Sequence, residues 1–237
     1  VVPFVTPMAS GVRDYQPSDP YHRIHWPTTA RTGRLMVKEF ELDPFADVWI
    51  VLDLNARVQR GAGPESTEEY AVTIAASLMQ HFILEGRSVG LVGQGEFLPP
   101  DRGSRQMRKG LELLALTRAD RYQSFADTLA LESVRFNRHA TVCVVTPATD
   151  PGWVFMCQEL RQRGVQTMAV VIDAASFGAA PEGNANLPLR DMVGNLVAFG
   201  VGTHLVRQGQ ALEGLLAEPL QLEALDGTVA AVNGHVA

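Results

Sequence analysis

From Asp47 onward, short β-branched runs alternate with longer helical periodicities, and this alternation limits the fold more than any other feature. The run from Asp47 to Asp53 is typical of a buried strand, and residues 67–85 have the apolar spacing of a helix that Gly86 ends. Such elements bury their apolar faces when helices flank a mostly parallel sheet. Further strands are predicted over 88–92, 140–145, 165–172 and 201–206, with a short edge strand at 96–98, and further helices over 104–117, 124–135, 151–163 and 189–199.

Turn and cap signals support these boundaries. Asp150 and Pro151 predict a helix N-cap followed by a proline at the first helical position. Gly93-Gln94-Gly95 predicts a hairpin turn, since it lacks the glycine, lysine and helix start of a phosphate loop. Pro99 to Gly103 is predicted as a loop. The loop 174–186 is long enough to be either a surface decoration or a binding loop.

Composition limits size, partners and compartment. The 237 residues are 46% hydrophobic and 19% charged, which suits one large α/β domain with a smaller appendage. A net charge of -6 argues against nucleic acid as a partner. Cys143 and Cys157 lie in apolar runs, so we expect reduced, buried thiols. No apolar run is long enough to span a bilayer, and because the chain starts at Val1 we expect a fragment that lacks any natural anchor.

The first 46 residues do not share the alternating pattern. They form a polar, turn-rich stretch before a strand-like run at 35–42. We predict an N-terminal extension over 1–46 that packs on the main domain, because Tyr15, Tyr21 and Trp26 need to bury area. The main domain is predicted over 47–218, and 219–237 is a tail or an extra strand.

A long motif runs through this extension. It reads Gly11-Val12-Arg13-Asp14-Tyr15, Pro17, Asp19, Arg23-Ile24-His25-Trp26, Thr29-Ala30-Arg31 and Leu35-Met36-Val37-Lys38-Glu39. It resembles the signature of a bacterial family known as domain of unknown function 58, with Ser18 where glycine is usual and His25 where an acidic or amide residue is usual. The rest of the chain agrees with that family mainly in the order of its elements. The motif residues Arg13, Tyr15, Asp19, Arg23, Trp26 and Arg31 form either an internal ion-pair lattice or a partner surface.

The resemblance carries expectations about fold and partners. It implies a von Willebrand factor A-like, Rossmann-like α/β domain with a mostly parallel sheet and helices on both faces. It also implies a MoxR-type AAA ATPase as the protein partner. Finally, it implies a cytoplasmic location, with the full-length protein held at the membrane by segments that this chain does not contain.

Von Willebrand factor A domains bind a divalent cation through an Asp-x-Ser-x-Ser string at a strand end, and here the string is degenerate. It reads Asp53-Leu54-Asn55-Ala56-Arg57, with Ser124 as a weak candidate for a distal hydroxyl. Magnesium requires hard oxygen donors, and a cationic Arg57 turned inward would repel it. We therefore hypothesise that Arg57 pairs with Asp53 and replaces the cation, leaving only a weak case for magnesium.

These observations favour a non-enzymatic docking or adaptor domain that uses the crevice around Asp53, Asn55, Arg57 and Ser124. One alternative is a cation-dependent ligand-binding domain. Another is a metal-dependent hydrolase that uses Asp19, His22 and His25. A basic cluster of Arg102, Arg105, Arg108 and Lys109 is either a solvated helix face or a docking face for an acidic protein or anionic lipid.

Overall fold

The computed structural model describes residues 11–15, 24–39, 46–178 and 187–210, and it divides the chain into two units between Ala46 and Asp47. In the first unit, β1 (Gly11–Asp14) pairs antiparallel with β2 (Met36–Glu39), and α1 (Trp26–Thr32) precedes β2. The strand predicted over 35–42 is present as β2. The strand β1 and the helix α1 were not predicted. The tail at 219–237 lies outside the described residues, and the packing of 1–46 on the main domain stays a prediction.

The second unit contains a six-stranded sheet with strand order β5-β4-β3-β6-β7-β8. All neighbouring strands in it are parallel except β4 and β5, which pair antiparallel. This is the predicted von Willebrand factor A-like α/β fold class, which the topology confirms. The strands are β3 (Val48–Leu52), β4 (Val89–Val92), β5 (Phe97–Asp101), β6 (Thr141–Thr146), β7 (Gln166–Ile172) and β8 (Gly202–Val206). The helices are α2 (Thr67–Leu84), α3 (Gly103–Leu116), α4 (Phe125–Glu132), α5 (Pro151–Gln162) and α6 (Leu189–Ala198).

Helices cover both faces of this sheet. Residues of α4, α5 and α6, among them Phe125, Trp153 and Leu196, form one core cluster with one face of the strands. Residues of α2 and α3, among them Leu78 and Leu114, form a second cluster with the opposite face. Because both faces of the strands are buried, the central strands read as continuous apolar runs. Cys143 and Cys157 are free, buried members of these two clusters, as expected.

The predicted caps and turns are observed, with one correction. The Asp150 side chain accepts the Gly152 N–H at the start of α5, and Pro151 is the first residue of that helix. Gly93 donates its N–H to the carbonyl of Glu96, which closes the predicted hairpin turn. The prediction of a loop from Pro99 was wrong, because β5 continues to Asp101. A proline lacks the donor that a central strand needs, and β5 tolerates two prolines because it is an edge strand.

The glycines of the sheet and of α6 offer a matched stability test. A Cβ added at Gly90 in β4 would lie 2.8 Å from the rigid ring of Trp49 and 3.0 Å from Pro100. We therefore expect Gly90→Ala to lower the free energy of unfolding by about 1–3 kcal/mol through overpacking. Urea denaturation monitored by circular dichroism measures this change.

Gly194→Ala is the control, since a Cβ there meets nothing within 4 Å in the middle of α6. Alanine is the better helix former, so this variant should be neutral or up to about 1 kcal/mol more stable. Equal unfolding midpoints for the two variants would show that Trp49 does not pack on β4 as described.

Candidate functional site

The carboxyl ends of β3 and β6 bring together two polar side chains that are 93 residues apart in sequence. Asp53 follows β3 directly, and Thr146 is the last residue of β6. The parallel pairing of Leu52 with Val145 continues when the Asp53 N–H donates to the Val145 carbonyl at 3.0 Å. This register places the Thr146 hydroxyl 2.6 Å from Asp53 Oδ2, to which it donates. The strand-end aspartate is thus hydrogen-bonded inside the protein.

The loop after β3 is built on the same carboxyl group. Asp53 Oδ1 accepts the N–H of Asn55 at 3.1 Å, and Asn55 Oδ1 accepts the N–H of Arg57 at 3.0 Å. These are two consecutive Asx turns, in which a short polar side chain caps the backbone two residues ahead. Gln59 Nε2 also donates to the Asp53 carbonyl at 2.9 Å. The conformation of 53–59 therefore depends on Asp53 and Asn55.

Burial changes the acidity of this carboxyl group. Asp53 is fully buried, and desolvation raises its pKa to about 7. The hydrogen bonds from Thr146 and Asn55 lower the pKa in part, and the nearby Asp150 carboxyl group raises it further. The pKa of Asp150 is itself raised, chiefly by burial. The pKa of Asp53 therefore favours retention of its proton well above the pH at which an exposed aspartate ionises.

The hypothesis that Arg57 pairs with Asp53 was wrong. The Arg57 side chain is exposed, and its guanidinium carbon lies 5.5 Å from the centroid of the Tyr122 ring, over its face. In the described part of the chain, no salt bridge joins Arg57 to Asp53. Leaving the guanidinium in water avoids its desolvation cost, and the ring offers a cation–π contact. The charge of Asp53 is thus reduced by a proton and not by Arg57.

A second loop lies beside the first. Asn55 and Arg121 form an isolated parallel bridge, in which the Ala56 N–H donates to the Arg121 carbonyl at 2.7 Å. Gln94 Nε2 also holds this second loop by donating to the Gln123 carbonyl at 2.8 Å. Arg57, Arg121 and Tyr122 are all exposed here, and we call these three residues the rim surface.

The structure brings some of the predicted site residues together and gives others a different role. Asp53, Asn55 and Arg57 share one loop, whereas the Ser124 hydroxyl is the N-cap of α4 and accepts the Asp127 N–H at 3.1 Å. Sequence reasoning missed Thr146 and Tyr122. Thr146 could have been found, since it ends the apolar run next to Asp53 in the sheet, but nothing in the sequence singled out Tyr122.

The N-terminal motif is only partly described. Asp19 and Arg23 lie outside the described residues, as does His22 of the hydrolase alternative. The Tyr15 N–H donates to the Leu35 carbonyl at 2.8 Å, which extends the pairing of β1 and β2. His25 Nδ1 lies 2.7 Å from the Thr28 hydroxyl, and Trp26 is 63% exposed. Arg13 is in β1, and Arg31 is in the last turn of α1.

Among the residues that the structure places, no group of three or more His, Cys, Asp or Glu side chains is arranged to hold a metal ion.

Comparison with known protein families gives an assignment. A family model described as "Protein of unknown function DUF58" matches residues 11–187, which include the N-terminal motif and the Asp53 loop. The chain belongs to this family. The DUF58 match thus extends well beyond the motif residues and covers most of the described sheet.

Curated relatives align with only part of the chain. The uncharacterized protein YeaD of Bacillus subtilis is 29% identical over 116 residues, which are 48% of this chain and 27% of YeaD. The uncharacterized protein Rv1480 of Mycobacterium tuberculosis is 33% identical over 66 residues, which are 28% of this chain and 21% of that protein. The alignments therefore span about a quarter of the length of these relatives, and neither name gives an activity.

Solved structures with related shapes have low sequence identity. An aerotolerance-related membrane protein from Bacteroides fragilis has a TM-score of 0.49 at 15% identity, covering 78% of this chain and 99% of that one. The manganese-loaded TRAP protein of Plasmodium vivax has a TM-score of 0.34 at 14% identity, covering 66% and 73%. Within the described residues of this DUF58 chain, no helix is both long enough and apolar enough to cross a membrane.

The raised pKa of Asp53 predicts a specific pH dependence of stability. The folded state holds the Asp53 proton up to about pH 7, whereas an unfolded aspartate loses it near pH 4. The resulting stabilisation is present at acid pH and is lost as the pH rises from about 4 to about 7. Between pH 5 and pH 8, the wild type should lose about 2–3 kcal/mol of unfolding free energy more than Asp53→Asn does.

Chemical denaturation of both proteins at the two pH values measures this difference. Asp191→Asn is the control, because Asp191 is an exposed carboxylate in the first turn of α6 and should leave the wild-type slope unchanged. If the pH slopes of the wild type and of Asp53→Asn are identical, the buried carboxyl group does not hold its proton as described.

Proposed function

We propose that this domain is a non-enzymatic protein-binding module that docks a partner through the rim surface. The observation that carries the proposal is the exposed pair of Arg57 and Tyr122, held on two loops that are fixed to each other and to the sheet. Tyr122 is 67% exposed although it is a large aromatic side chain. Arginine and tyrosine are the side chains that most often dominate binding energy at interfaces, and a preorganised pair loses little entropy on binding.

The proposed docking does not depend on a cation, since the donor set fits a divalent ion poorly. Magnesium needs several hard oxygen ligands in near-octahedral geometry. Here Asp53, Asn55 and Ser124 each accept an internal backbone N–H, and Asp53 also accepts the Thr146 hydroxyl. An ion would have to displace a proton from Asp53 as well. We therefore propose that the metal site of this fold is degenerate in this chain.

The family motif suggests which protein docks. Its resemblance to domain of unknown function 58 implies a MoxR-type AAA ATPase, with the domain on the cytoplasmic side of the membrane in the full-length protein. Two of the three rim residues are arginines, although the chain as a whole carries a net charge of -6. Arg121 already pairs with Asp120 at 3.2 Å, so Arg57 is the cation that suits an acidic group on the partner, because complementary charges steer association and fix its register.

Variants of the rim surface test the docking role. The full-length protein, tagged in its host, is expected to recover a MoxR-type AAA ATPase. Arg57→Ala combined with Tyr122→Ala should reduce that recovery at least about tenfold, since hot-spot residues contribute about 2 kcal/mol or more each. Recovery is measured by quantitative mass spectrometry against the tagged protein.

Arg138→Ala is the matched control, because Arg138 is also exposed but lies before β6, at the opposite end of the strands. It should leave the recovery unchanged. Equal recovery with the rim variant and the wild type would refute docking through this surface. Failure to recover any ATPase with the wild type would refute the proposed partner.

The cation question has its own test. Isothermal titration of the purified domain with magnesium or manganese is expected to give no tight 1:1 binding. Recovery of the ATPase should also be the same with and without a chelator. Tight stoichiometric binding that Asp53→Asn abolishes would favour the cation-dependent ligand-binding domain instead.

A further inference from the structure

The solvent side of α3 is strongly basic. Its exposed cations are Arg102 at the N-cap and Arg105, Arg108 and Lys109 in the next two turns. The helix contains one carboxylate, Glu112, so residues 102–116 carry a charge of +3, four cations less one carboxylate. The whole chain carries -6, which leaves -9 for all the other residues. The basic face of α3 therefore belongs to a protein that is otherwise acidic.

Few carboxylates lie near these cations in the described part of the chain. The Arg108 Nε atom lies 3.8 Å from Glu112 Oε1, and both of these side chains are largely in water, which makes the ion pair weak. No described carboxylate lies within salt-bridge distance of Arg105 or Lys109. The positive potential of this face is thus available to attract an anionic partner.

The neighbouring helix α2 adds an outer face without formal charge. From Tyr70 to Leu84 it contains no Asp, Glu, Lys or Arg. The two helices run antiparallel, because the Ala119 N–H after α3 donates to Glu68 at the start of α2. They also pack closely, since a Cβ at Gly110 would overlap the Met79 sulfur. The helical layer that α2 and α3 form on this side of the sheet, which we call the α2–α3 layer, is thus basic on α3 and uncharged along most of α2.

Three leucines of the α2–α3 layer are exposed. Leu84, at the end of α2, is 80% exposed, and Leu116 and Leu111 of α3 are 79% and 45% exposed. Leu116 follows Lys109 by seven residues and Arg105 by eleven, which are about two and three helical turns, so the three side chains share one side of α3. Helices that lie on membrane surfaces combine such residues, with leucines entering the interface and long cationic side chains reaching the headgroups.

We propose that the α2–α3 layer binds an anionic lipid surface. Its cations would contact the headgroup phosphates, and its exposed leucines would enter the boundary between headgroups and acyl chains. A bilayer presents a plane of negative charge and requires no shaped pocket, which suits two convex helices. The same negative surface repels the acidic remainder of the chain, and this repulsion favours the orientation with α3 towards the lipid.

The side chains of the α2–α3 layer favour lipid over an acidic protein as the partner. In α2 and α3, the large apolar side chains that are exposed are all leucines. Protein interfaces are enriched in aromatic residues and depleted in lysine, whereas Lys109 is central to this basic face. The rim surface lies at the carboxyl ends of the strands, so lipid binding by α2 and α3 does not depend on the proposed protein docking.

Vesicle co-sedimentation of the full 237-residue chain tests lipid binding. The probes are vesicles with about 30% phosphatidylglycerol in phosphatidylcholine and vesicles of phosphatidylcholine alone. A basic side chain near an anionic membrane contributes about fivefold to the binding constant. In about 0.1 M salt, the chain should therefore bind the anionic vesicles at least about tenfold more tightly. Most of this preference should disappear in about 0.5 M salt, where screening is much stronger.

Charge variants locate the binding face. Arg105→Gln combined with Lys109→Gln should weaken binding to the anionic vesicles at least about tenfold, since two basic side chains are lost. The matched control is Arg138→Gln combined with Arg163→Gln, which removes the same charge from two exposed residues. Arg163 follows α5, which packs on the opposite face of the sheet from α3, and Arg138 lies against Gly164 beside it. This pair should change binding by less than about threefold.

A leucine variant tests insertion into the interface. Leu84→Gln combined with Leu116→Gln should weaken vesicle binding at least about fivefold, because two apolar side chains no longer leave water. Both leucines are largely exposed in the protein, so the fold should be retained. Circular dichroism of each variant checks this.

Three results would overturn the assignment of this face to lipid. One is equal binding of the unchanged chain to anionic and neutral vesicles. Another is an equal loss of binding with the α3 pair and with the control pair, which would trace the effect to net charge alone. The third is tighter binding to polyglutamate than to anionic vesicles, which would assign the basic face to an acidic protein.

Discussion

The hydrogen bond between Thr146 and Asp53 is the interaction on which the candidate site depends. It joins the ends of two adjacent parallel strands and leaves the other carboxylate oxygen to organise the loop that follows β3. A buried carboxyl group is costly unless its charge is neutralised and its hydrogen bonds are made. Here the hydrogen bonds are internal, and a proton neutralises the charge in part. Hydrogen bonds within the protein therefore fix the conformation of the loop at this end of the sheet.

Because the Asp53 carboxyl group is already hydrogen-bonded, it does not require the Arg57 side chain as a partner. A guanidinium directed at Asp53 would have to be desolvated beside a carboxyl group that is already satisfied. Instead, its backbone N–H is fixed by Asn55 and its side chain lies over Tyr122 in solvent. Asp53 and Asn55 instead fix the conformation of the loop that follows β3. A surface with a stable conformation and exposed aromatic and cationic groups suits recognition of a protein.

Each helical layer buries large side chains against the sheet and leaves some apolar side chains exposed. On one face, Phe125 and Trp153 are fully buried with their helices around them. On the other face, α2 and α3 leave a groove whose lining is apolar or uncharged.

The sequence by itself determined the element order and the fold class, because runs such as 48–52 and 141–146 can be buried only in the middle of a two-faced sheet. It also determined the cap at Asp150, since capping is local chemistry. The short helix α1 escaped prediction because its polar sequence has no apolar periodicity. Only the tertiary structure decided that Asp53 meets Thr146, that Arg57 meets Tyr122, and that Gly110 brings α3 against α2. Each of these contacts joins residues from separate elements, and strand register and helix packing set such distances, which no local pattern encodes.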